Sequence, residues 1–327
     1  MDPMTTLSLP ALPYDDWEPT KATLHLVTQI MGKVKLARHP KLPHWWHATL
    51  RITPRGVGTE TIPAHGGSFE LELDVHTLRL VGRNDKGVES GFDLDGLTIA
   101  QVYAKTMTLL DELGHPTQIV ATPYDCPHST VPFVDDHEHA SWDHDAIKRW
   151  WQALTFINEV FTTFAGRSFL RTSPVQLFWH SFDLAVTRFT GRRSPAFGEG
   201  SRRSDVEAYS HEVISFGWWP GDPNVRMPAF YNYTAPQPEG LADHALAPDV
   251  AWWQELPSSH MAMLKWEDVR NADDPRETLL AFLQSAYEAG EEALLATGAH
   301  VEFEDAPPPH WDELDARFPA TRGRERR

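Results

Sequence analysis

Phe69-Glu70-Leu71-Glu72-Leu73-Asp74-Val75-His76-Thr77-Leu78-Arg79-Leu80-Val81-Gly82-Arg83-Asn84-Asp85-Lys86-Gly87 decides the fold class. Phe69, Leu71 and Leu73 alternate with Glu70, Glu72 and Asp74, the period of a strand with one buried face. Further strands are expected over 77–81 and 87–94, with Asn84-Asp85-Lys86-Gly87 as the hairpin turn between them. Upstream, 45–53 alternates too, with Trp46, Ala48, Leu50 and Ile52 on one face and His47, Thr49 and Arg51 on the other. Short consecutive strands joined by tight turns make an antiparallel sheet.

Helices flank this region. One is expected from Pro19, a first-turn proline, to about residue 37, with Val27, Ile30, Met31 and Val34 on one face and Pro40 and Pro43 ending it. Thr98-Ile99-Ala100-Gln101 has the form of a capping box and opens a helix that stops at Gly114. A short strand is expected over 118–121, then a Pro/Asp/His-rich loop over 122–142. Asp143 caps a long helix with Ile147, Trp150, Trp151, Leu154, Ile157, Phe161 and Phe164 on its stripe. A second β region follows at 176–179, 183–189, 208–216 and 229–233, interrupted by a Gly/Ser/Arg loop over 191–205. Residues 236–260 read as irregular, and Asp274-Pro275-Arg276-Glu277 starts a last helix reaching about residue 296.

The expected architecture is therefore α+β, with two similar helix-flanked antiparallel β-sheets in one compact unit. An extended segment covers 1–16, a single domain 17–296 and a Pro-rich, charged appendage 297–327. The pseudo-halves are about 17–121 and 143–296. Each half opens on a related string, Trp46-His47-Ala48-Thr49-Leu50-Arg51-Ile52-Thr53 and Trp179-His180-Ser181-Phe182-Asp183-Leu184-Ala185-Val186-Thr187. Internal duplication and chance both account for strings this short. A duplication would favour a ligand site between the halves.

Twenty-nine basic residues against 46 acidic ones give a net charge of −17 over 327 residues, which argues against a phosphate-backbone partner. One cysteine, Cys126, allows no internal disulfide. No signal peptide and no membrane-spanning run are read, so a cytoplasmic location is expected. The 13 Trp include four adjacent pairs, Trp45-Trp46, Trp150-Trp151, Trp218-Trp219 and Trp252-Trp253. They serve either as core or as the wall of an aromatic-lined pocket.

Several strings are distinctive: Thr23-Leu24-His25, Thr28-Gln29-Ile30-Met31-Gly32-Lys33-Val34, His44-Trp45-Trp46-His47, Phe178-Trp179, Ser181-Phe182-Asp183-Leu184-Ala185-Val186-Thr187-Arg188-Phe189, Ala208-Tyr209-Ser210-His211-Glu212-Val213 and Ala229-Phe230-Tyr231. Together they resemble a bacterial family known only as domain of unknown function 5996. The resemblance spans about Trp17 to Ala289 and implies one domain over that range, with no reaction attached. His180 departs from it, standing where the family pattern has Gly.

Four constellations could carry chemistry. Asp135-Asp136-His137-Glu138-His139 holds a His-x-His that would suit zinc, manganese or iron, or forms an acidic loop before a helix. Tyr209-Ser210-His211-Glu212, read as a strand, offers His211 as base or ligand with Tyr209 on its face and Glu212 on the other. His44-Trp45-Trp46-His47 places its two histidines on opposite faces of a strand. Asp183 and Arg188, at odd spacing, face opposite sides and serve as substrate anchors or structural ion-pair partners. Lys33 and Lys35 complement the helix dipole. Phosphate-binding loops, dinucleotide fingerprints and the nucleophile elbow are absent from the sequence.

The expected function is a small-molecule enzyme working by metal-assisted or general-base hydrolysis in an aromatic-lined pocket. Its catalytic set would be His211, Glu212 and Tyr209, its ligand-binding set Trp45, Trp46, Trp179 and Arg188, and its divalent-metal set His139, His211 and His47. The alternatives are a non-catalytic binding protein for an apolar or aromatic ligand and a protein-interaction module. No nucleic-acid or membrane partner is expected.

Overall fold

Helix α1 (Tyr14–Arg38) is the axis of the molecule. In the computed structural model, which describes residues 8–195 and 201–297, it is buried on all sides from Thr20 to Lys35. It begins earlier than expected, with Pro13 as N-cap, so residues 14–16 belong to the helix and Pro19 lies inside it. A helix buried all round must satisfy its polar side chains within the protein. Thr20 pairs with Ser141 at 2.8 Å and Lys21 with His128 Nε2 at 2.9 Å. His25 Nε2 meets the His180 carbonyl at 3.0 Å, the Gln29 amide meets the backbone of Tyr124, and Lys35 donates to Thr49 O at 2.6 Å.

The first sheet comprises β1 (Arg51–Thr53), β2 (Gly56–Gly58), β3 (Ile62–Ala64), β4 (Gly67–Asp74), β5 (Arg79–Asn84) and β6 (Glu89–Asp93). All pairings are antiparallel, in the order β1-β2-β4-β5-β6 with β3 beside the start of β4. Phe69, Leu71 and Leu73 are buried as their alternation requires. Helix α2 (Ile99–Glu112) covers this sheet and opens on the expected capping box, Thr98 accepting from Gln101 N and Gln101 from Thr98 N. Residues 118–121 form no strand.

The second sheet contains β7 (Gln176–Phe178), β8 (Asp183–Arg193), β9 (His211–Trp219), β10 (Ala229–Ala235), β11 (Trp252–Leu256) and β12 (Ser259–Lys265). Its order is β11-β12-β10-β9-β8-β7, again wholly antiparallel. The hairpin β11–β12 occupies sequence that reads as largely irregular. Helices α3 (His144–Ala165) and α6 (Pro275–Ala296), capped by Asp143 and Asp274, pack on one face, where Phe164 meets Phe216 with ring centres 4.9 Å apart. Two short helices, α4 (Arg203–Ala208) and α5 (Trp266–Arg270), complete the set. The sheets touch edge to edge through Leu50 and Leu177, which exchange two backbone hydrogen bonds of 2.9 Å.

The expected strand over 45–53 shrinks to β1. Its first half is a tight turn in which His44 and Trp45 adopt left-handed conformations, φ 55° and 61°. Two consecutive residues there destroy the strand alternation. The strings beginning at Trp46 and Trp179 both start in turns that lead into strands, but the strand orders of the two sheets differ. The expected appendage beyond residue 297 lies outside the described residues.

Candidate functional site

The face of the second sheet opposite α3 and α6 looks into a cavity of about 930 Å³. Side chains two apart on a strand share a face, so β8 contributes Asp183, Ala185, Thr187 and Phe189, and β10 contributes Tyr231 and Tyr233. Lys33 and Leu36 of α1, the turn at 44–49, residues 124–125 and α4 enclose the remainder. The described residues hold six non-glycine positions with positive φ, and His44, Trp45 and Asp125 of that set line this cavity. Phe182, φ 59°, is another, and it turns the chain between two more lining residues, Ser181 and Asp183.

The polar centre is Asp183, 6% exposed. Its Oδ2 accepts from the Tyr231 hydroxyl at 2.5 Å and its Oδ1 from Ser181. Burial pushes this carboxyl above its usual range, against the pull of those two hydrogen bonds toward the charged form. Tyr209 and Tyr233 share a hydrogen bond of 2.9 Å, and Tyr233 stacks on Tyr231 with ring centres 6.0 Å apart. Burial raises both Tyr231 and Tyr233 well above the usual phenol range, so they stay protonated. Tyr231 reaches Asp183 by lying across Gly217 of β9, where a Cβ would sit 2.2 Å from its hydroxyl.

The walls are aromatic. Trp179 packs into α1 at Gly32, where a Cβ would come within 2.0 Å of the indole, and its Nε1 donates to Ala48 O at 2.7 Å. Trp45, Trp46, Phe178 and Trp219 line the same space. The ring of His180 also lines it, and burial lowers its pKa. Lys33 holds its ammonium 5.4 Å from the Trp179 ring centre.

Of the residues singled out from sequence, Trp45, Trp46, Trp179 and Tyr209 line the cavity; His211, Glu212, Arg188, His47 and His139 do not. Tyr209 ends α4 and is not in a strand, so it and His211 share no strand face. His211 packs against Ser210 and the His44 ring. Glu212 is buried in an ion pair with Arg192, 2.7 Å, and accepts from Thr190. Arg188 lies on the helix side of β8, donates to Phe164 O at 2.7 Å and stacks on the rings of Phe164 and Tyr287. His47 Nδ1 accepts from Leu42 N, and His139 Nδ1 meets the Asp136 carboxylate at 2.9 Å. Among the described residues no three His, Cys, Asp or Glu side chains are grouped to hold a metal ion. The expected set of His139, His211 and His47 is thus not assembled, because each ring is committed to a different local contact.

A smaller cavity of about 520 Å³ adjoins the first and shares Asp125, Ser181 and Asp222 with it. It is lined by Lys21, His25 and Cys126, whose Sγ lies 3.8 Å from His25 Nδ1. Burial pushes the thiol up and holds His25 well below the usual imidazole range. The paired Lys21 and His128 are lowered by burial to about 8 and about 4.

A family of unknown function, DUF5996, has a model that matches residues 9–298. The chain belongs to this family. The match takes in α1, both sheets and every residue of the two cavities. Neither the curated proteins nor the solved structures include a match to the chain. Among the described residues, no helix is long and apolar enough to cross a membrane.

Proposed function

We propose that the larger cavity binds a small organic molecule with a flat, apolar body, oriented by the hydrogen-bonding centre at Asp183. One observation carries this reading: a space of about 930 Å³ with aromatic walls converges on a buried carboxyl ringed by tyrosines. Ligand sites are commonly apolar concavities of 300–1,000 Å³ with a few convergent polar groups. Burying a carboxyl beside three tyrosines costs stability that packing alone does not require.

A catalytic reading builds on the same centre. A carboxyl raised above its usual range by burial can hold a proton and pass it to a bound molecule. This supports Asp183 as general acid or base, the role expected of His211 from sequence.

The test is a screen of small aromatic compounds by tryptophan fluorescence and thermal shift, on the native protein and on Leu36→Trp. Leu36 is a half-buried wall residue, so a larger side chain there fills the cavity. Hits should bind the native protein and lose at least about ten-fold in affinity in the filled variant. Equal binding to both would overturn the reading.

A further inference from the structure

Lys33 differs from every other buried polar side chain of α1. It is 8% exposed, yet no carboxylate lies within ion-pairing distance and no hydrogen bond engages its ammonium among the described residues. Its partner is the Trp179 ring, at 5.4 Å. Lys35, two residues on, shows what the helix does with a lysine it must neutralise: its ammonium reaches Thr49 O at 2.6 Å and Glu60 at 3.5 Å.

The other charged side chains around the cavity are accounted for. Asp125 pairs with Arg202 at 3.5 Å and Arg203 with Glu207 at 2.8 Å. Asp183 is held by Ser181 and Tyr231, Asp205 accepts from Ser204, and Asp222 caps the backbone at Asn224. The indole N–H groups of two lining side chains, Trp45 and Trp219, are buried without an acceptor among the described residues. Among the described lining residues, Lys33 is therefore the one buried lysine or arginine with neither an ion-pair nor a hydrogen-bond partner. A buried lysine without a partner is costly, and desolvation already lowers its pKa.

We propose that Lys33 is the anchor for the anionic group of the ligand, and that the ligand is a small aromatic or otherwise planar carboxylic acid. This rests on the reading of the cavity as a ligand site. One buried ammonium matches a single negative charge; a phosphate dianion would bring a second, while both lining arginines, Arg202 and Arg203, are already paired with carboxylates. A cationic ligand would find aromatic faces but also the repulsion of Lys33. The carboxylate would meet the ammonium beside Trp179 while the ring stacks among the walls.

The experiment compares matched acids, amides and amines on two skeletons by calorimetry: indole-3-acetate, indole-3-acetamide and tryptamine, with the naphthalene counterparts. The native protein should bind each acid about ten-fold or more tighter than its amide, with the amine weakest. Lys33→Met should weaken the acids by about 10- to 100-fold and leave the amides unchanged. Lys33→Arg should keep the preference for acid. Lys33→Met should also melt no lower than the native protein, because it removes an unpaired buried charge. Acids that bind no better than amides, acids indifferent to Lys33→Met, or a failure of both acids to bind would each overturn the proposal. If the hits sensitive to Leu36→Trp persist in those cases, the cavity reading survives and only the anionic assignment falls. If those hits fail as well, both fall.

Discussion

At position 217 a hydrogen atom stands where any other residue would put carbon. The Tyr231 ring crosses β9 over that gap and delivers its hydroxyl to Asp183 on β8. Gly217→Ala would place a methyl 2.2 Å from the hydroxyl, well inside contact distance, and the ring would have to move. The carboxyl then loses a donor in a buried setting. The expected loss is about 1–3 kcal/mol in chemical denaturation, together with loss of the fluorescence hits. Tyr231→Phe, which removes the hydroxyl and keeps the ring over Gly217, should cost about 1 kcal/mol. A Gly217→Ala protein as stable as the native one would show that ring and strand do not approach this closely.

Strand β8 divides the molecule into a cavity side and a structural side. Asp183 faces the cavity, and Arg188 faces α3 and α6, where it joins the end of α3 to the Tyr287 ring. Arg188→Ala removes a donor from the Phe164 carbonyl and the packing on two aromatic rings. It should destabilise by about 2–4 kcal/mol while leaving the affinity of cavity ligands unchanged, read by urea denaturation and fluorescence titration. A loss of affinity without a loss of stability would place Arg188 in the site instead. This division was legible in the sequence, because odd spacing on a strand puts two residues on opposite faces. The caps at Thr98, Asp143 and Asp274 and the turn at 84–87 were legible for the same reason: each is a local pattern with a local cause. The turn at His44 and Trp45 was not, because nothing in His-Trp-Trp-His marks a left-handed conformation that tertiary contacts impose. Tyr231 and Asp183 lie 48 positions apart, and only strand pairing brings them together. Lys33 reads as an ordinary helix-end lysine until the burial of α1 on every side is known.

Across the whole molecule, burial acts on many bases at once, and this determines how stability depends on pH. His25 lies well below its ordinary value, His128 near 4, and His44, His47, His115 and His180 are also lowered, all by desolvation first. A base lowered in the folded state binds its proton more readily when unfolded, so stability falls as pH drops from about 6.5 toward the folded value. Lys21 and Lys35, both near 8, extend the effect upward: between 8 and their unfolded value near 10.5 the unfolded chain holds more protons, and stability rises with pH. Asp183, raised by burial, works in the opposite sense above the usual carboxylate range but is one group against several. Tyr231 and Tyr233 set the upper limit, because the unfolded phenols ionise near 10 while the folded ones do not. The maximum of stability should therefore lie on the alkaline side, at about pH 8.5–10, with the melting temperature falling by about 5 °C or more between pH 7 and pH 5. Urea denaturation from pH 5 to pH 11, with His128→Gln beside the native chain, checks this: the variant should show the shallower acid limb. A maximum near pH 6, or parallel acid limbs, would mean that these histidines take up protons in the folded protein, and that α1 is hydrated along the face it turns to the smaller cavity.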